Sequence, residues 1–189
     1  MSLKGSNTTT DYMNFDTATR TAMTLLKDSP KERVYGLYII VSINTGLRVS
    51  DVLSLTWGQL RSEVFTIMET KTKKDRTIKI NDSIRKALSL IDRKGDKEGF
   101  AFISQKGTVI STQRINVKLK EIFQRSCKGL KISSHSLRKT FGRRVYENNN
   151  ESEKALMYLS DLFNHSSIGL TRKYLGIRQD ELNSIYDNL

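Results

Sequence analysis

Hydrophobic residues recur at helical spacing along most of the chain, and this pattern predicts a mainly α-helical fold. The sharpest start signal is Ser29-Pro30, with Ser29 at the N-cap, Pro30 at the first helical position and Glu32 placed to complete a capping box. The helix that follows is predicted to end at Gly46, a residue type favoured after the last turn. EKALMYLSDLF, residues 153–163, is apolar at the same spacing and predicts another helix.

Other helix starts are predicted at residues that suit the N-cap. They are Asp16, with a helix to about Leu26, Ser50, Asp82 and Ser134, and the pattern from Thr112 onward is helical almost to the end. The last segment, residues 178–189, is amphipathic. It is predicted to form a helix that packs either on its own domain or on a neighbouring protomer by exchange.

One region has the period of strands instead. Residues 64–81 contain two β-branched runs around a polar, charged centre, which predicts a hairpin with a basic tip. Residues 95–99 read as a polar loop, and residues 99–104 predict a short strand. The fold class is therefore mainly α with a small antiparallel β-sheet, α+β. We expect a flexible lead-in over residues 1–12, one domain over 13–177 and the helical segment 178–189.

Charge narrows the class of partner. The 189 residues include 32 Lys plus Arg against 20 Asp plus Glu, a formal net charge of +12. Such an excess suits a polyanion, most simply nucleic acid, although a basic surface can also serve solubility alone. One cysteine excludes an internal disulfide, and two histidines with one cysteine do not form a usual zinc site. No apolar run approaches the ~18 residues of a membrane span, and the N-terminus lacks a signal peptide's apolar core.

The basic residues fall into groups that we predict to contact DNA. A run of cations is usually a solvated face, but a hairpin tip projects and one of its lysines can reach into a site. The predicted DNA-binding residues are Lys73, Lys74 and Arg76 in the hairpin, Lys139 and Arg143 in the helix after Ser134, and Arg172 and Lys173 further on.

A phosphate site is suggested by three residues. His135 and Arg138 are three apart and would share a face in the first turn of their helix, where free backbone N–H groups favour an anion. Arginine suits bidentate binding of phosphate oxygens. Arg48 lies at a junction between two predicted helices. Taken alone, His135 and Arg138 are better explained as surface residues of an ordinary capped helix.

Tyr174 stands in LTRKYLG, directly after two cations and nine residues after His165. A free phenol has a pKa of ~10 and is a poor nucleophile at neutral pH. Positive charge and a hydrogen-bonding base would favour the phenolate. Without other motifs, a tyrosine that packs in the core explains the position better than a reactive one.

The order of these residues resembles the catalytic domain of the tyrosine recombinases, the phage integrase family. The matching segments are TGLRVSDVLSL, METKTKKDRTIKI, SSHSLRKTFG and LFNHSSIGLTRKYL, within about residues 11 to 180. The resemblance implies that fold and implies that Tyr174 attacks a DNA phosphate, forming a 3′-phosphotyrosyl bond and freeing a 5′-hydroxyl. It also implies that Arg48 and Arg138 hold the non-bridging oxygens.

The remaining roles come from the same resemblance. His135 would accept the tyrosine proton or hydrogen-bond the phosphate, and His165 would donate to a phosphate oxygen. Lys71 would protonate the leaving 5′-oxygen, with Lys73 as the alternative. No metal or other cofactor is implied. Asn164 departs from the family, which usually has glycine before this histidine, but asparagine tolerates left-handed backbone.

The resemblance also implies partners. Double-stranded DNA is the expected substrate, in integration or excision of a mobile element, with a homotetramer on DNA in a longer protein and a monomer for this chain. Full recombinases carry an N-terminal DNA-binding domain, so the chain looks like a catalytic half. A cytoplasmic protein of bacterial, phage or mobile-element origin is expected. A type IB topoisomerase-like enzyme and a non-cutting DNA-binding protein of the same fold are the alternatives.

Overall fold

The fold is mainly helical, as the hydrophobic pattern predicts. Within residues 10–91 and 98–188, which the computed structural model describes, it has ten helices and one two-stranded antiparallel sheet. The helices are α1 Phe15–Leu26, α2 Pro30–Thr45, α3 Val49–Leu53, α4 Trp57–Arg61, α5 Asp82–Ser89, α6 Thr112–Phe123, α7 Ser134–Asn148, α8 Glu153–Phe163, α9 Ile168–Leu175 and α10 Ile177–Asp187. The strands are β1 Val64–Met68 and β2 Asp75–Lys79.

Helix α2 forms the centre of the larger hydrophobic core. Its residues 35–43 are all buried, because α1, α5 and α7 pack around it. Small residues allow α1 to approach closely: a Cβ at Gly36 would lie 2.8 Å from the carbonyl oxygen of Ala22. A helix surrounded in this way has no polar face, which explains its continuous apolar run.

Several N-caps differ from those predicted. Asn14, Arg48, Asn81 and Ser133 are the N-caps, in place of Asp16, Ser50, Asp82 and Ser134. The reason is local: the Asn14 and Asn81 side chains accept hydrogen bonds from the backbone N–H groups three residues on. The aspartates predicted as caps lie in the first turn instead, where their charge favours the helix dipole.

The predicted capping box of α2 does not form. Ser29 is the N-cap and Pro30 the first helical residue, but the Ser29 side chain makes no cap hydrogen bond. Glu32 is instead paired with Lys118 of α6, at 2.9 Å between Oε1 and Nζ. A tertiary ion pair has therefore taken the place of the local hydrogen bonds of the capping box.

The hairpin is present as predicted, with Phe65 opposite Ile78 and both side chains facing the core. Residues 69–74 form its tip, in which Lys73 has a left-handed backbone with φ 56°. Residues 99–104 differ from the prediction, because they make only isolated bridges, Thr56 to Phe100 and Ile103 to Val109. Residues 95–97 of the predicted loop lie outside the described residues.

A second hydrophobic cluster joins α7, α8 and α9. Helix α8 ends at Asn164, which is left-handed with φ 54° and ψ 50°, so asparagine does keep the turn. Residues 178–187 belong to α10, as predicted. At the other end, residues 10–12 of the predicted flexible lead-in pack against α7, and residues 1–9 lie outside the described part. No helix among the described residues is long and apolar enough to cross a membrane.

Replacing Gly46 with alanine is expected to destabilise the junction between α2 and α3. Gly46 ends α2 in a left-handed conformation with φ 61°, and a Cβ there would overlap the ring of Phe141. Backbone strain and overpacking together should lower the free energy of unfolding by about 2–4 kcal/mol, measured by urea denaturation. Gly169→Ala is the control, because its nearest neighbour would be Ser167 Oγ at 3.8 Å. Equal urea midpoints for the two variants would contradict this expectation.

Candidate active site

Residues far apart in sequence meet where α3, α7, the hairpin tip and the α8–α9 turn come together. The structure brings together Arg48, His135, Arg138, His165 and Tyr174, the five predicted catalytic residues that lie outside the hairpin.

Arg138 projects from the second turn of α7 and is only 5% exposed. One Nη donates to the carbonyl oxygen of Gly46, and the guanidinium lies 4.3 Å above the ring centroid of Phe163. Burial lowers the pKa of Arg138 to about 10, which still leaves it charged at neutral pH. The result is a fixed, desolvated cation, the kind that binds an anion strongly.

Arg48 is held from two sides at the start of α3. Its Nη1 donates to Oε2 of Glu69 at 2.6 Å, and its Nη2 donates to the backbone carbonyl of Phe163 at 3.2 Å. These bonds tie together the α2–α3 junction, the hairpin and the end of α8. The guanidinium is thus oriented before any ligand binds.

Glu69 is a site residue that the sequence prediction missed. It is 4% exposed and accepts hydrogen bonds from Arg48, Thr72 and Arg76. Burial raises its pKa, but these bonds and the two guanidinium charges outweigh burial, so the pKa of Glu69 lies below its usual value. A signal existed: Phe65 and Ile67 point inward at alternate positions of β1, and Glu69 continues that alternation.

The same network places Arg76 inside the protein. Arg76 was predicted to bind DNA, but it donates to the backbone carbonyl of Thr45 and to Glu69. Asp51, also buried, accepts from the backbone N–H of Thr70 at 2.9 Å. Asp51 and Glu69 therefore hold Thr70 and Thr72, the two neighbours of Lys71 in the hairpin tip.

His135 lies in the first turn of α7. The residue is exposed, but partial desolvation of its ring lowers its pKa, and the charges of Arg138, Lys139, Lys71 and Arg48 lower it further. Because a free histidine has a pKa of ~6.5, His135 is neutral at pH 7 and one ring nitrogen can accept a proton.

His165 follows the left-handed Asn164. Its Nδ1 is 2.9 Å from Oγ1 of Thr171, and its ring centroid is 5.2 Å from that of Tyr174. Burial lowers the pKa of His165, and so do the charges of Arg138 and Arg48. A neutral imidazole results, in which Nδ1 is the ring nitrogen bonded to Thr171.

The Tyr174 hydroxyl is buried and has no hydrogen-bond partner among residues 10–91 and 98–188. Its ring packs edge-on against Phe163, at 5.5 Å between centroids. Burial raises the pKa of Tyr174 to about 12, although the charges of Arg138 and Arg48 act in the opposite direction, as does the approach of the Arg138 side chain to the hydroxyl. An unsatisfied buried hydroxyl is costly, so its persistence beside two cations points to a role.

The other predicted DNA-binding residues divide into two groups. Lys73 and Lys74 are exposed at the hairpin tip, as is Lys71, the predicted general acid, and Lys74 Nζ donates to Oδ1 of Asn164 at 2.7 Å. Lys173 is exposed on α9, and Arg172, beside it, is half-buried.

Two predicted surface cations are instead directed into the protein. Lys139 donates to the backbone carbonyl of Thr10, and Arg143 donates to the Tyr12 hydroxyl at 3.1 Å. No group of three or more metal-ligating side chains occurs in the part of the chain that the structure describes.

The known proteins that this chain resembles in sequence are integrases and tyrosine recombinases. The sequence pattern of the phage integrase family matches residues 14–181. The probable integrase/recombinase YoeC of Bacillus subtilis (strain 168) is 31% identical over 158 residues, which cover 82% of this chain and 83% of YoeC. Tyrosine recombinase XerC of Caldanaerobacter subterraneus subsp. tengcongensis is 29% identical over 162 residues, 82% of this chain but 44% of XerC.

A solved structure has the same fold. The XerH site-specific recombinase, bound to palindromic difH substrate in a post-cleavage complex, superposes with a TM-score of 0.66 at 20% identity. The match covers 98% of this chain and 56% of XerH. The chain thus spans about half of the length of XerC and XerH, and most of the length of YoeC.

Proposed function

Because the chain belongs to the phage integrase family, we propose that it is the catalytic domain of a tyrosine-type site-specific DNA recombinase. Tyr174 is the nucleophile that cleaves and rejoins DNA strands. The observation that carries the proposal is the buried Tyr174 hydroxyl, unpartnered among the described residues, beside two fixed guanidinium groups and two neutral imidazoles. In this setting the phenol has the cations and the proton acceptors that attack on a phosphate requires.

The positions of the charged side chains indicate how the proposed reaction proceeds. Tyr174 Oη attacks the scissile phosphorus while the bond from phosphorus to the 5′-oxygen breaks, leaving a 3′-phosphotyrosyl ester. Arg48 and Arg138 stabilise the negative charge that grows on the non-bridging oxygens. Because these donors are held in place before DNA arrives, little reorganisation is needed during the reaction.

Proton transfers complete the step. His135 takes the proton of the phenol or bonds the phosphate, and His165 donates to a non-bridging oxygen. Lys71 gives a proton to the departing 5′-oxygen. Attack of a 5′-hydroxyl on the phosphotyrosyl ester reverses every transfer, so a strand is rejoined without an external energy source.

Double-stranded DNA is the proposed partner, bound by the exposed lysines of the hairpin tip and by Arg172 and Lys173. We assign residues 13–177 to the catalytic domain. A longer protein would act as a homotetramer on DNA in the cytoplasm of a bacterium, in integration or excision of a mobile element. The isolated chain is expected to be a monomer that binds DNA weakly, with strong dependence on salt.

A nicked suicide duplex tests this proposal. The duplex carries the attachment-site sequence beside the gene, and loss of a short 5′-hydroxyl fragment prevents rejoining. We expect an SDS-stable protein–DNA adduct whose linked peptide contains Tyr174. DNA binding with no adduct would leave a non-cutting DNA-binding protein, and relaxation of a supercoiled plasmid without strand exchange would indicate a topoisomerase. Either result would overturn the proposal.

Lys71→Ala is expected to slow adduct formation about 100-fold, the lower end for loss of a general acid because water reaches this exposed site. A duplex with sulfur in place of the bridging 5′-oxygen should react at nearly the wild-type rate with this variant, since a thiolate leaves without a proton. Lys73→Ala is the matched control and, at saturating DNA, which offsets the loss of one DNA contact, should be slow with neither duplex. Sulfur rescue of Lys73→Ala instead would assign the general acid to Lys73.

A further inference from the structure

Lys139 is a buried lysine that the proposed reaction does not use. It follows Arg138 on α7 and is 8% exposed. Its Nζ donates to the backbone carbonyl of Thr10 at 2.6 Å. Burial of an ammonium group is costly, and a carbonyl recovers only part of the lost hydration. A position that merely fills space would be satisfied more cheaply by an apolar side chain.

The Lys139 ammonium lies over the nucleophile. Its Nζ is 5.3 Å from the centroid of the Tyr174 ring, within the ~6 Å at which a cation is attracted by an aromatic face. The attraction is strongest when the cation is desolvated, as it is here. Arg138, by contrast, stacks on Phe163, so the two cations of α7 lie on different rings.

The N-terminal strap, residues 10–13, fixes this ammonium in place. Asp11 and Lys131 exchange hydrogen bonds of 3.1 and 2.7 Å, and Met13 exchanges two bonds of 3.1 Å with the Thr140 side chain. The carbonyl of Thr10 is therefore rigidly placed above α7. It directs the Lys139 side chain toward the Tyr174 ring.

We propose that Lys139 is a positioning residue for Tyr174, which holds the phenol ring and favours the negative charge that the ring acquires during attack. This inference rests on the proposed function of Tyr174. A cation attracts a phenol ring weakly and a phenolate strongly. Only the increase between ground state and transition state speeds the reaction. Because the strap holds Lys139, the segment that leads into the domain also orients its nucleophile.

Lys139→Gln tests the charge separately from the strap. The glutamine amide can still donate to Thr10 but carries no charge, so we expect single-turnover adduct formation on the nicked duplex to slow about tenfold. Lys139→Arg restores a cation and should recover the rate to within about threefold. Lys120→Gln, at an exposed site on α6, removes the same charge and should react as the wild type does.

The outcomes separate positioning from mere structure. The thermal unfolding midpoint and the DNA dissociation constant should be the same for Lys139→Gln and the wild type. Lys139→Met supplies the same comparison should the glutamine variant not fold. A wild-type rate in Lys139→Gln, or an arginine variant as slow as the glutamine variant, would overturn the inference. If the wild-type protein forms no adduct, the proposed function itself fails, which is a different result.

Discussion

Replacing Tyr174 with phenylalanine is expected to abolish the covalent adduct while leaving the fold and DNA binding intact. The substitution removes only the attacking oxygen and keeps the ring contacts with Phe163 and His165. Loss of a nucleophile typically reduces turnover by a factor on the order of 10⁶, which puts the adduct below detection on an SDS gel.

Stability gives this variant a second readout. Because the Tyr174 hydroxyl is buried without a hydrogen-bond partner among the described residues, its removal should leave the protein at least as stable as the wild type. Tyr158→Phe is the matched control: Tyr158 is 57% exposed on α8, so adduct formation should persist. An adduct of Tyr174→Phe at the wild-type level would show that another residue attacks the phosphate.

The residues that meet at the candidate site were easier to predict from the sequence than the interactions around them. Arg48, His135, Arg138, His165 and Tyr174 are few, chemically distinctive and in a recognisable order. The long apolar run of α2 and the alternation of the hairpin were equally legible. These features depend on residue types and their spacing over short stretches, which can be taken directly from the sequence.

The sequence did not indicate in the same way which charged side chains are buried. Lys139, Arg143 and Arg76 looked like surface cations because a basic residue is usually exposed. Each is directed inward by a partner: Thr10 for Lys139, Tyr12 for Arg143, and Thr45 with Glu69 for Arg76. Such pairings appear only when the chain has folded, and they explain why Lys139 is buried and the two arginines are half-buried.

The predictions of the helix N-caps were wrong for a related reason. A run such as Ser133-Ser134 offers two candidates one residue apart, and backbone geometry rather than residue type selects between them. In α7 the choice moves the helix start by one residue, which still leaves His135 and Arg138 in the first two turns. The error therefore changed the boundary without changing the site.

The arrangement of Arg138 leads to the second large effect. Its guanidinium already makes two contacts, because it donates to the carbonyl of Gly46 and stacks on Phe163. In the proposed reaction its remaining N–H groups must also bind the phosphate. A lysine carries the charge but has a single, compact donor group. It can satisfy the carbonyl or reach the phosphate, not both in the same geometry.

Arg138→Lys is therefore expected to slow adduct formation by about 10³-fold, the lower end of the range for an arginine at a phosphoryl-transfer centre. Arg138→Ala should lose more and also unfold at lower urea, because it leaves the Gly46 carbonyl without its donor. Arg125→Lys, at an exposed position after α6, controls for the loss of a guanidinium and should leave the rate unchanged. DNA affinity should fall only slightly in Arg138→Lys, because the charge is retained and the lost bidentate contact matters most in the transition state. A rate for Arg138→Lys close to that of the wild type would mean that Arg138 serves the fold alone and that Arg48 stabilises the phosphate charge without it.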